Sequence, residues 1–157
     1  MELLQALSDW QVAALLRRSA ILYPLVNAAH ILCFGLLVGA IVTLDLRLLG
    51  LFRRHPLAHL GPPLRRMAGV GLGLAALTGL LLFSTRPVAY VENPAFLVKL
   101  GLIGLGLLNV VLLHRNRHWR RAVEGGAAHP SVRAAALVSL LVWTGVVIAG
   151  RWIGFLQ

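Results

Sequence analysis

Four long apolar runs, separated by short connectors rich in arginine, proline and glycine, organise this sequence of 157 residues. A helix needs about 20 mostly apolar residues to cross the roughly 30 Å hydrocarbon layer of a bilayer. The runs at about 20–46, 67–85, 95–114 and 133–153 meet that length. They are continuous and rich in Leu, Ala and Gly, without the alternation of a membrane barrel, so helices are predicted. The expected fold is all-α, a bundle of four transmembrane helices forming one integral membrane domain over residues 1–157. Ahead of it, Leu3, Leu4, Leu7, Trp10 and Ala14 recur at helical spacing. Residues 2–18 are therefore predicted to form an N-terminal amphipathic helix lying in the membrane interface, with a capped turn at Ser8 and Asp9.

Composition sharpens this picture. The chain is 59% hydrophobic and 13% charged, with a mean hydropathy of +0.82, more apolar than a water-soluble core of this size requires. A net charge of +10 would suggest nucleic acid if the basic residues lined one soluble face. Here they fall between apolar runs, where they set topology, so the expected partner is the lipid bilayer and no nucleic acid. Arg47, Arg53, Arg54, Arg65 and Arg66 follow the first run, and Arg115, Arg117, Arg120, Arg121 and Arg133 bracket the connector after the third. The positive-inside rule places both connectors in the cytoplasm and both termini on the periplasmic or exterior side. Glu2 and Asp9 precede Arg17 and Arg18, unlike the order of a cleavable signal peptide, so the first span is expected to be retained. Cys33 is the single cysteine, which excludes an intrachain disulfide. Trp10, Tyr23, Tyr90, Trp119 and Trp152 fall near predicted interfaces, where amphipathic rings concentrate.

Ionisable and polar groups inside a span are costly and each requires an account. At 100° per residue, Tyr23, Asn27, Phe34, Ile41 and Asp45 fall within about 60° of His30, a stripe predicted to face the bundle. His30 is the leading candidate for cofactor binding, because imidazole supplies either a lone pair or a proton. Asn27 and Tyr23 are its expected supporting groups. His114, at the end of the third span, is a second candidate ligand. It lies near the arginine-rich boundary, whereas His30 is ~20 Å away along the membrane normal at 1.5 Å per residue, so the two cannot share one iron. Asp45 is assigned an interfacial salt bridge or a hydrogen bond to a neighbouring helix. Gly69 and Gly73 form a GxxxG pattern, one of several small-residue spacings that let helices approach closely, and Thr78, Ser139 and Thr144 can bond their own helix or a neighbour. No nucleophile with a base, no metal-spaced His or Cys cluster and no phosphate loop is found, so no catalytic residue is assigned.

Tyr23-Pro24-Leu-Val-Asn-Ala-Ala-His30, Gly39, Asp45-Leu-Arg47-Leu-Leu-Gly50, Thr78-Gly79, Asn93-Pro94-Ala-Phe96-Leu-Val-Lys99, Asn109 and His114 together resemble an uncharacterised bacterial four-helix membrane family. The resemblance spans nearly the whole chain and implies a multi-pass protein of the bacterial inner membrane. More distantly, a four-helix unit with a histidine in its first span resembles the cytochrome b561 and copper-resistance D groups, which implies haem-mediated electron transfer or copper handling. Unlike those groups, this chain lacks two histidine pairs, and Met67 with Cys33 offers little soft ligation. Three readings stand open on the sequence. One is a redox-associated protein holding haem b or quinone at His30 and serving a membrane redox partner. Another is a non-enzymatic subunit whose polar residues fix packing. The third is a transport element using Lys99 and Asp45, which would need a homo-oligomer to enclose a path.

Overall fold

The computed structural model describes residues 2–52, 54–123 and 128–156. Arg53 lies outside these residues, as do the side chains of Leu3, Arg120 and Arg121, so their parts in the amphipathic stripe and the arginine tally are left to the sequence. The elements are α1 (Glu2–Ser8), α2 (Gln11–Arg18), α3 (Leu22–Leu49), α4 (Leu57–Thr85), α5 (Pro87–Glu92), α6 (Pro94–Arg115), α7 (Arg117–Val123) and α8 (Pro130–Trp152), with a 3₁₀ turn at Ile153–Phe155. The described residues contain no strand. Four segments are long and apolar enough to cross a membrane: α3, α4, α6, and α8 with its 3₁₀ extension.

Local chemistry sets the helix ends. The Asn93 side chain accepts from the N–H groups of Ala95 and Phe96, with Pro94 in the first turn, so α6 starts on a capped, preorganised turn. The same side chain donates to the Ile153 carbonyl at 3.3 Å, tying that start to the end of the chain. Gly50 closes α3 in the left-handed region at φ 110°, which glycine adopts without a Cβ clash. The N-terminal segment departs from the single helix expected. Trp10 is extended at ψ 135° and divides α1 from α2, and Arg17 holds the join by donating to Ser8 Oγ and to the Thr85 carbonyl. Similarly, α4 begins at Leu57 and not near residue 67. Gly61, Pro62, Pro63, Arg65 and Arg66 look like a connector, yet they form the early turns of a helix 29 residues long that overshoots the apolar layer.

α3 packs on α4 and on α8, and α8 packs on α6. α4 and α6 meet through aromatic rings at the end of the bundle that carries the termini: Phe83 stacks on Phe96 at 5.5 Å between centroids, with Tyr90 5.3 Å from Phe96. The close approach of α3 to α4 is made by Gly71, where an added Cβ would stand 2.7 Å from the Leu37 nitrogen and 3.0 Å from the Cys33 oxygen. Gly69 and Gly73, the GxxxG pair, face open space. One core cluster surrounds Leu37, Trp143 and Val146. The other gathers Leu48, Leu57, Leu113, Trp119, Ala122, Val132 and Ala136 at the arginine-rich end. Trp119 is thus a core residue, not an interfacial anchor, because α7 turns back and lays it against the helix ends. Trp10 and Trp152 are exposed, as amphipathic anchors are.

Candidate functional site

His30 lies in the half of α3 nearer the termini, half-buried against α4. Its Nδ1 is 2.9 Å from Thr78 Oγ1. The Thr78 hydroxyl donates its one hydrogen to the Leu74 carbonyl at 2.7 Å, so it meets His30 as an acceptor and Nδ1 is the donor. The Ala75 carbonyl is a further acceptor for the imidazole; in the neutral tautomer that carries its hydrogen on Nδ1, the lone pair is on Nε2. Gly79 makes room for the imidazole: a Cβ there would lie 3.1 Å from His30 Cε1. Thr78 and Gly79 thus supply a hydrogen bond and a space that orient the imidazole.

One turn along α3, Phe34 lies nearly parallel to the His30 ring, with centroids 6.4 Å apart and an angle of 21°. Lys99 of α6 reaches the same ring, with Nζ 5.4 Å from the Phe34 centroid. Gly150 of α8 gives Lys99 its space, since a Cβ there would touch Nζ at 3.6 Å. Among the described residues Lys99 has no carboxylate partner and no hydrogen bond. The contact with Phe34 supplies about 0.5–2 kcal/mol, against roughly 2.5–3.5 kcal/mol for an ammonium at the centre of a span. Lys99 is five residues from the start of α6, about 7.5 Å at the helical rise, so both its cost and its access to the interface are intermediate. The Phe34 ring therefore has the His30 ring and the Lys99 cation as neighbours, contributed by α3 and α6 and supported by α4 and α8.

The other sequence candidates fall elsewhere. Tyr23 and Asn27 are exposed and make no hydrogen bond to His30. The stripe turns into the core only from Phe34 onward, through Leu37, Val38 and Ile41 to buried Asp45. His114 is exposed at the opposite end, where its Nδ1 is 2.8 Å from the Val110 carbonyl and its ring lies 5.2 Å from Trp119. Asp45 is bonded to Ser139 of α8, while Arg47 gives its Nε to the His55 carbonyl at 2.8 Å. Of the two roles expected for Asp45, the structure selects the hydrogen bond to a neighbouring helix. The sequence pattern did not single out Trp143, the largest fully buried side chain. Its only sequence signal is its place in an apolar run four residues after Ser139. The described residues contain no group of three or more His, Cys, Asp or Glu side chains placed to hold a metal ion.

A model of a family of unknown function, DUF6644, matches residues 18–156. The chain belongs to that family. No curated protein and no solved structure matches it. The DUF6644 match takes in all four spanning helices and every residue of the His30 site, and it begins at the last residue of α2. This DUF6644 member is a small helical protein with four membrane-spanning segments.

Proposed function

We propose that the His30 site binds the headgroup of a quinone, which would make this a redox-associated protein of the membrane. The observation that carries the reading is the placement of the His30 imidazole and the Lys99 ammonium, which has no carboxylate partner among the described residues, beside the same Phe34 ring. A quinone ring presents a flat face to Phe34 and a carbonyl oxygen to the Lys99 N–H donors. Its reduced form presents a hydroxyl to His30 Nε2. A lipid phosphodiester matches Lys99 but has no proton to give to Nε2. On this reading Tyr23 and Asn27, exposed on the same helix nearer the termini, line the approach and do not support the imidazole. The quinone would be exchanged with a membrane redox partner or a second copy of the chain. The positive-inside rule would put the site in the leaflet away from the cytoplasm.

The same histidine supports a second reading, haem ligation through Nε2, because Nδ1 is already committed to Thr78 as it is in orienting shells around metal-bound histidines. That reading would accord with the distant resemblance to cytochrome b561 suggested by the sequence, with His30 the only histidine at its depth among the described residues and His114 excluded by its position. Protein purified from its membrane decides between the two. A quinone in the organic extract, no Soret band in the oxidised and reduced spectra, and loss of the quinone in His30→Ala are the expected results. A Soret band lost in His30→Ala would establish the haem reading. Absence of both would leave His30 as a packing residue.

A further inference from the structure

A second polar centre lies on the other side of the Trp143 cluster from His30. Asp45 Oδ2 and Trp143 Nε1 are buried and have no hydrogen-bond partner among the described residues, and the two residues are only 4% and 1% exposed. They belong to packed, facing helices. The Asp45 carboxyl is bonded to Ser139, and Trp143 lies one turn beyond Ser139 on α8. Gly106 of α6 completes the enclosure, for a Cβ at that position would stand 3.3 Å from Trp143 Nε1. An acceptor on α3 and a donor on α8 are thus both buried without partners, and Ser139, which bonds the carboxyl, lies four residues from Trp143, ~6 Å of rise along α8.

The chemistry of these two atoms restricts what fills the space. Trp143 Nε1 only donates, so its partner must accept. An ionised Asp45 only accepts, so its partner must donate. A metal cation cannot accept from the indole, and an anion cannot donate to the carboxylate. The neighbouring cation Arg47 is directed to the His55 carbonyl, and the Asn109 amide is held by the Ala135 carbonyl at 2.9 Å. We propose that a single buried water molecule bridges Asp45 Oδ2 and Trp143 Nε1, accepting from the indole and donating to the carboxylate. With two lone pairs it serves equally when Oδ2 carries a hydrogen. The water would make the α3–α8 seam a hydrogen-bonded cross-link running from Ser139 through Asp45 to Trp143.

The test is a water-selective rotating-frame NOE experiment on protein labelled with ¹⁵N-tryptophan in nanodiscs. The Trp143 indole resonance is identified by its loss in Trp143→Phe. The expected result is a cross-peak between the Trp143 indole proton and water with the sign of dipolar contact, not of chemical exchange, and its loss in Asp45→Leu. A wild-type spectrum without that dipolar cross-peak overturns the proposal, as does a cross-peak that persists undiminished in folded Asp45→Leu. Should Asp45→Leu fail to fold, the wild-type spectrum alone decides.

Discussion

Gly71 brings α4 so close to α3 that a Cβ at this position would stand 2.7 Å from the backbone nitrogen of Leu37. The atoms met are backbone, which cannot rotate away. Gly71→Leu is therefore expected to destabilise the protein by about 1–3 kcal/mol, as overpacking does. Gly73→Ala, facing open space, should stay within about 0.5 kcal/mol of wild type. Denaturant titration in mixed micelles, followed by circular dichroism, checks both.

The His30–Thr78 hydrogen bond is open to a double-mutant cycle with His30→Ala and Thr78→Val. Side-chain hydrogen bonds between membrane helices average about 0.6 kcal/mol in such cycles and reach about 1.7 kcal/mol. A coupling energy within that range is expected from unfolding measurements, and a value near zero would show that the two side chains do not act as a pair.

These two contacts show where the sequence was legible and where it was not. The four spans follow from apolar length alone, and the 3.6-residue period correctly aims Phe34, Ile41 and Asp45 inward. The same wheel includes Tyr23 and Asn27, because angular position says nothing about where along α3 the neighbouring helices cover it. The start of α4 was hidden because Pro62, Pro63, Arg65 and Arg66 are connector residues by composition, although a helix can carry them outside the hydrocarbon. Choosing Gly71 over the Gly69–Gly73 pair requires the register of two helices, and so does joining His30 to a threonine 48 residues away. Lys99 could be noticed as a charge in a span, but its approach to Phe34 depends on how α6 sits against α3.

Lys99→Met separates function from folding. Removing an ammonium without a carboxylate partner relieves its desolvation while keeping the stem that packs beside Gly150. Stability is expected to be unchanged or raised by up to about 1 kcal/mol, and any bound quinone should be lost. A loss of stability above that size would show that Lys99 is structural.

Trp143→Ala should cost about 3–5 kcal/mol, the range for removing a buried aromatic side chain, since the indole packs in the cluster with Leu37 and Val146. Gly106→Ala should destabilise in the same direction by a smaller amount, because its Cβ would meet the indole at 3.1 Å. Thermal unfolding of the two variants tests the ranking.

A quinone headgroup held between His30 and Lys99 is open to equilibrium titration of a short-tailed quinone and its quinol into the protein in nanodiscs. Saturable one-site binding to wild type is expected. Loss of one charge-assisted hydrogen bond, about 1.5–3 kcal/mol, should weaken quinone binding by roughly 10- to 100-fold in Lys99→Met. His30→Ala should weaken quinol more than quinone. No saturable binding to wild type, or equal affinity in all three proteins, would contradict it.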